Sequence, residues 1–178
     1  MNRLRKLSTG RNVVLTIIIW LAVSVCLFNF GPYTTLRASD GELLEERFGY
    51  SAAQVAARLE TLGETGRALY RRFQYFDAVN ALLTAAALTL LMSYLLMRLF
   101  PSRSALWFAA YLPLLIGALE LLENSLLLAL LRAFPEPLPW VAAIAGWTTR
   151  LKLTVSLPLF LLIVVGLLAL AVKRWWRS

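Results

Sequence analysis

Four charged side chains, Asp77, Glu120, Glu123 and Lys152, stand inside or at the edge of long apolar runs, and Arg150 lies two positions before the lysine. In a bilayer each such charge costs roughly 2.5–3.5 kcal/mol on insertion scales, so it usually faces a partner or a wet cavity. The chain has no histidine and one cysteine. That removes histidine acid–base catalysis, histidine–metal sites, paired-cysteine metal ligation and an internal disulfide. No serine triad can be assembled, and no phosphate-binding glycine loop is present. What remains is carboxylate chemistry, with Glu120, Glu123 or Asp77 as the catalytic candidates acting as acid and base, or as oxygen ligands to a hard cation. No cofactor and no metal is expected.

The spacing of these residues predicts that they meet. Counting from the basic ends of the apolar runs, Asp77 lies roughly 31 Å from Arg98, Glu123 roughly 28 Å from Ser104, and Lys152 roughly 31 Å from Lys173. Three helices thus bring a charge to one level, with Glu120 about one turn deeper. Faces agree as well. Glu120, Glu123 and Asn124 share one side of a helix, as do Asp77, Asn80 and Thr84, and Thr148, Lys152 and Ser156. The expected ligand-binding set is Asp77, Asn80, Glu120, Glu123, Asn124, Thr148 and Lys152, lining a pocket between the second, third and fourth apolar helices. Lys152 is expected to balance Glu123 or Asp77. Arg150 points nearly opposite, toward headgroups or the outer loop. A purely structural reading, in which the same polar groups join helices, stands beside this one.

The elements that carry these residues follow from composition. Of 178 residues, 60% are hydrophobic and 16% charged, against about 45–50% and 25% in soluble domains. The excess falls in four runs, about 12–30, 73–98, 105–132 and 141–172, each long enough to cross a bilayer. The fold class expected is all-α: a single polytopic domain, a four-transmembrane-helix bundle with a helical outer loop over 31–72. The net charge of +8 is not spread as in a nucleic-acid binder. Nine basic residues and no acid occupy the segments before the first run, between the second and third, and after the fourth, whereas the loop over 31–76 holds six of each sign. This is the positive-inside pattern, with both termini in the cytoplasm. The basic segments also attract anionic headgroups, by about 1 kcal/mol per residue. The first run is too long for a cleaved signal and lacks a small-residue cleavage site. Cys26 reads as a packing residue.

Within the loop, Asp40 is expected to cap a short acidic helix over 41–48. Ser51 and Gln54 form a capping-box pair opening an amphipathic helix that carries Val55, Leu59 and Leu62 and ends at Gly63. That helix is expected near the pocket mouth. Phe100-Pro101-Ser102 forms a tight turn, Pro113 a kink, and Pro158 removes the bond to the carbonyl of Thr154. Trp107, Trp140, Trp147, Trp175 and Trp176 sit near helix ends, as interfacial anchors do.

The strings Gly66-Arg67-Ala68-Leu69-Tyr70 through Phe76-Asp77, Leu119-Glu120-Leu121-Leu122-Glu123-Asn124 and Thr148-Thr149-Arg150-Leu151-Lys152 resemble a family of small, functionally uncharacterised bacterial four-helix integral membrane proteins. The resemblance implies a bacterial cytoplasmic membrane and a shared site at these polar positions, and it supplies no chemistry. The leading expectation is an outward-facing polar pocket for a small amphipathic or lipid-like ligand. An intramembrane lipid-modifying enzyme and an accessory subunit of a larger membrane complex are the alternatives. The partners expected are the lipid bilayer and that ligand, with no nucleic acid; a homo-oligomer or a partner membrane protein stays open. After replacement of Cys26, a cysteine at Gly63 or Glu136 should react with an impermeant thiol reagent from outside, and one at Ser102 should not. The reverse labelling would overturn the orientation.

Overall fold

The computed structural model describes residues 2–101, 104–136 and 138–176. The expected turn at Ser102 and the basic residues Arg103 and Arg177 fall outside them. Among the described residues every regular element is helical. A short α1 (Asn2–Leu7) precedes α2 (Gly10–Phe30), which is capped where the Thr9 hydroxyl accepts the Asn12 amide. Pro32 then opens α3 (Pro32–Asp40) in the first turn, where a missing N–H is harmless. α4 (Ala52–Thr61), α5 (Gly63–Leu99), α6 (Leu112–Ala133) and α7 (Pro139–Trp175) follow.

Four helical stretches, Gly10–Ala38, Gly63–Leu99, Leu106–Ala133 and Pro139–Trp175, are long and apolar enough to cross a bilayer. α5 is the hub of the bundle. It packs against α2, α3, α6 and α7, and 61% of its apolar stretch is buried against 11% for the stretch containing α2. Its 37 residues rise about 55 Å, well past the apolar thickness of a bilayer, so its first turns stand beside the loop. The outward side of α7 is a continuous apolar band, with Leu157, Leu161, Val165 and Leu168 all exposed.

The core is split in two. Near the long loop, Leu36, Leu43, Leu44, Val55, Leu59, Tyr70 and Phe73 pack with Leu127, Leu130, Val141 and Ala145. Near the termini, Val13, Leu88, Leu91, Met92 and Leu95 pack with Trp107, Leu159 and Ile163. Between the two clusters lie the polar positions of α5, α6 and α7.

Several local expectations are corrected. Asp40 is the last residue of α3, and the segment 41–48 holds no α-helix for it to open. That segment has only a one-turn 3-10 helix, Leu44–Glu46, because Leu43 and Leu44 turn fully inward and Glu46 accepts the Leu43 amide. Pro113 stands where the 3-10 stretch over Ser104–Tyr111 passes into the first turn of α6, so its ring meets no preceding α-helical carbonyl. Trp107 is buried under the Arg5 guanidinium, 4.1 Å from its ring centre, and does not face outward. Cys26 is exposed on α2. The Ser51–Gln54 capping box forms as its spacing predicts, and Val55, Leu59 and Leu62 are buried.

Candidate functional site

The loop is fastened to α7 by two glycines. Gly49 has φ of +80°, and a Cβ there would meet the Arg150 side chain at 2.4 Å. At Gly146 a Cβ would meet the Tyr50 carbonyl oxygen at 2.2 Å, so only glycine lets the loop backbone lie against the helix there. Arg150, pinned against Gly49, stacks on Trp147 at 4.9 Å, which is the outer-loop contact expected of it. Tyr50 is thereby carried down beside Thr149 and Glu123. Its burial, and then the Glu123 charge, raise the pKa of its phenol, which stays protonated.

One turn below, three helices meet through polar groups. The Lys152 ammonium donates to Glu123 Oε2 at 2.5 Å and to Glu120 Oε1 at 3.0 Å. The Thr149 hydroxyl donates to the other Glu123 oxygen. Glu123 is fully buried and the Lys152 side chain is 8% exposed, while Glu120 keeps 23% of its side chain open. On the α5 side, Asn124 Nδ2 donates to Asp77 Oδ2 at 3.0 Å. Asn80 Oδ1 accepts from Ser24 of α2 at 2.8 Å, and the Thr84 hydroxyl turns back to the Asn80 carbonyl. Asp77 and Glu120 face one another.

Six of the seven residues expected to line a site therefore lie in this polar layer in contact with one another or with α2. Thr148 does not join them; both threonine hydroxyls reach back to the carbonyl four residues before, but only that of Thr149 also lies against Glu123, so Thr149 takes the place assigned to Thr148. Both threonines are within a turn of Lys152, and helical spacing alone does not separate them. Lys152 forms ion pairs with both glutamates and not with Asp77, which accepts a hydrogen bond from Asn124.

The open space differs from the expected pocket. Between α5, α6 and α7 the charged groups interlock. The cleft beside them, about 190 Å³, is lined instead by Phe28 of α2, by Asp77, Asn80, Ala81, Thr84 and Leu88 of α5, and by Pro113, Ile116, Gly117 and Glu120 of α6. Glu120 forms part of its wall and not its floor; the deep end is Leu88, Pro113 and Ile116. The helix α4 lies elsewhere, over the α6–α7 turn, where Val55 and Leu59 pack in one cluster with Leu130, Ala142 and Phe134. Its apolar face is used up by that turn, so it does not cover the cleft mouth. Asp77 and Glu120 are the carboxylates in the cleft wall, whereas Glu123 is enclosed.

Sequence reasoning missed one more carboxylate. Glu45 turns inward, accepting from the Tyr70 hydroxyl and, at 2.9 Å, from Gln74 Nε2. Burial is the main cause that pushes its pKa up to about 8, against the lowering effect of the Tyr70 bond. It sits in an acidic stretch with Glu42 and Glu46 that reads as solvated surface. Its only signal is its place directly after the apolar pair Leu43-Leu44.

No known protein family, curated protein or solved structure matches the chain.

Two outcomes follow from these contacts. Lys152→Met strands the enclosed Glu123 charge and should cost about 3–5 kcal/mol of stability, read as a lower midpoint of thermal unfolding in detergent. Adding Glu123→Gln should restore part of the loss; no recovery would mean that the pair is not what holds α6 to α7. For Glu45, the folded chain keeps a proton that the unfolded chain releases between about pH 4.5 and 8. This contribution is full below that window and disappears as pH rises through it. The wild type should therefore lose more stability than Glu45→Gln between pH 5 and 8.5, measured as the difference in their unfolding midpoints. Parallel pH curves would show that the carboxylate is not buried as described.

Proposed function

We propose that this chain is a multi-pass protein of the bacterial cytoplasmic membrane, with both termini in the cytoplasm and the long loop outside, and that it binds a small amphipathic ligand in the cleft between α2, α5 and α6. The apolar band on α7 and the basic segments at the termini end support the membrane reading. The observation that carries the ligand reading is the gradient along the cleft wall. Its loop-ward end presents Asp77, Asn80 and Glu120, and its deep end presents Leu88, Pro113 and Ile116. Small-molecule sites combine apolar walls with a few placed polar groups in this way. At about 190 Å³ the cleft is smaller than the roughly 300–1,000 Å³ of a drug-sized site, so it suits one end of a longer molecule.

The facing pair Asp77 and Glu120 also favours a second reading, acid–base chemistry on a lipid, in which one carboxyl gives a proton to one atom of the lipid and the other, as carboxylate, takes a proton from another. Native mass spectrometry from a mild detergent separates the readings. Binding predicts a co-purified amphiphile on the wild type that is absent from Ile116→Trp, a change that fills the deep end without touching a charge. Catalysis predicts that the mass of the retained lipid differs between wild type and Glu120→Gln. A wild-type chain with no adduct at any detergent concentration would sink both.

A further inference from the structure

Resting on the proposed ligand site, we infer that the polar end of the ligand is an organic ammonium, the head of a long-chain amine or quaternary amine. The argument is one of charge and oxygen supply. The layer holds three carboxylates, Asp77, Glu120 and Glu123, and among the described residues Lys152 is the one cation in ion-pair contact with them. Lys152 is committed most closely to the enclosed Glu123, at 2.5 Å. Asp77 receives a hydrogen bond from a neutral amide and no ion pair, and Glu120 shares the lysine at 3.0 Å. These two carboxylates, which Lys152 holds less closely, face each other in the cleft wall. Two carboxylates held together away from water share either a proton or a cation, and an ammonium group entering the cleft would take the proton's place.

The cation is organic because the remaining walls cannot serve a metal. A hard divalent ion takes six or more oxygens, whereas beyond its loop-ward end the cleft offers one side-chain oxygen, that of Thr84, among Ala81, Leu88, Pro113, Ile116 and Gly117. A primary ammonium needs only two or three acceptors and a quaternary one only nearby negative charge, and the carbon substituents of either match those walls. An anionic head would bring a further negative charge against Asp77 and Glu120. The cleft lies on the side of α5 where α2 and α6 flank it, so the chain of the amphiphile leaves along the apolar surfaces of α2 and α6.

The test is equilibrium competition on the full chain in dodecyl maltoside, whose head carries no charge. The probe is radiolabelled dodecyltrimethylammonium, with 1-dodecanol and dodecyl sulfate as competitors of equal chain length. The ammonium amphiphile should bind saturably and at least about tenfold tighter than the alcohol, with the sulfate weaker still, a tenfold step being what one partly shielded charge contact gives. Asp77→Asn combined with Glu120→Gln should bring ammonium and alcohol to equal affinity, and Ile116→Trp should remove both. If the alcohol competes as well as the ammonium on the wild type, the cleft takes a neutral amphiphile; this inference is then overturned while the site survives. If none of the three binds, the site itself falls. The wild-type comparison decides the matter even if the double variant does not fold.

Discussion

The contact on which the rest of the structure depends is the ion pair between Glu123 of α6 and Lys152 of α7. Both groups are almost wholly buried, and removing two charges from water costs several kcal/mol per ion before any attraction is counted. Such a pair persists only if nearly every polar atom is answered. Lys152 donates to Glu123 and Glu120, and Thr149 donates to the second Glu123 oxygen. The pair therefore dictates how α7 is rotated and how deep it sits, since Thr149 and Lys152 must both face α6. The rotation also turns Gly146 toward the loop, where the Tyr50 backbone lies against it. A single electrostatic demand sets the helix, and the helix sets the loop.

The two apolar clusters follow from the same demand. A polar layer through the middle of a bundle cannot share space with leucine side chains, so the core is divided into a part near the loop and a part near the termini. α5 passes through both parts and through the layer, with Tyr70 and Phe73 above, Asp77 and Asn80 within, and Leu88 to Leu95 below. Small side chains at the layer's lower edge keep it thin. A Cβ at Gly117 would stand 2.6 Å from the Ala85 Cβ, so α6 comes close to α5 just below the charged groups.

The four long apolar helices and the shared level of Asp77, Glu123 and Lys152 in the bundle were legible because hydropathy and helical rise are one-dimensional properties of the chain. Position across the bundle was not. Helical spacing puts Thr148 and Thr149 equally near Lys152, and only the direction of α6 selects Thr149. The cleft was expected beside α7 because the charge of α7 was visible. It lies beside α2, whose contribution is the uncharged Phe28 and Ser24 and so gave no signal. The loop was hardest. Its acids read as surface, yet Glu45 and Glu46 are drawn into hydrogen bonds with Tyr70, Gln74, Tyr33 and Leu43 once the Leu43-Leu44 pair is buried. A buried apolar pair reverses the environment of its neighbours, which local composition does not reveal.

Glu120 is where the structural and the open halves of the layer meet. On one side it accepts from Lys152 and so belongs to the ion pair. On the other it forms the cleft wall opposite Asp77 and keeps part of its carboxylate uncovered. Glu123 has no such freedom, because it is closed on all sides and its removal leaves a lysine without its nearest counter-charge. The two glutamates are three residues apart on one helix face and carry the same group, yet their positions fit them for different work. Enclosure suits Glu123 to hold α6 and α7 together, since a desolvated pair is sensitive to small displacements. Partial exposure suits Glu120 to meet something that enters from outside the bundle. The difference comes from about one helical turn of depth and from the gap that α2 leaves on its side of α5.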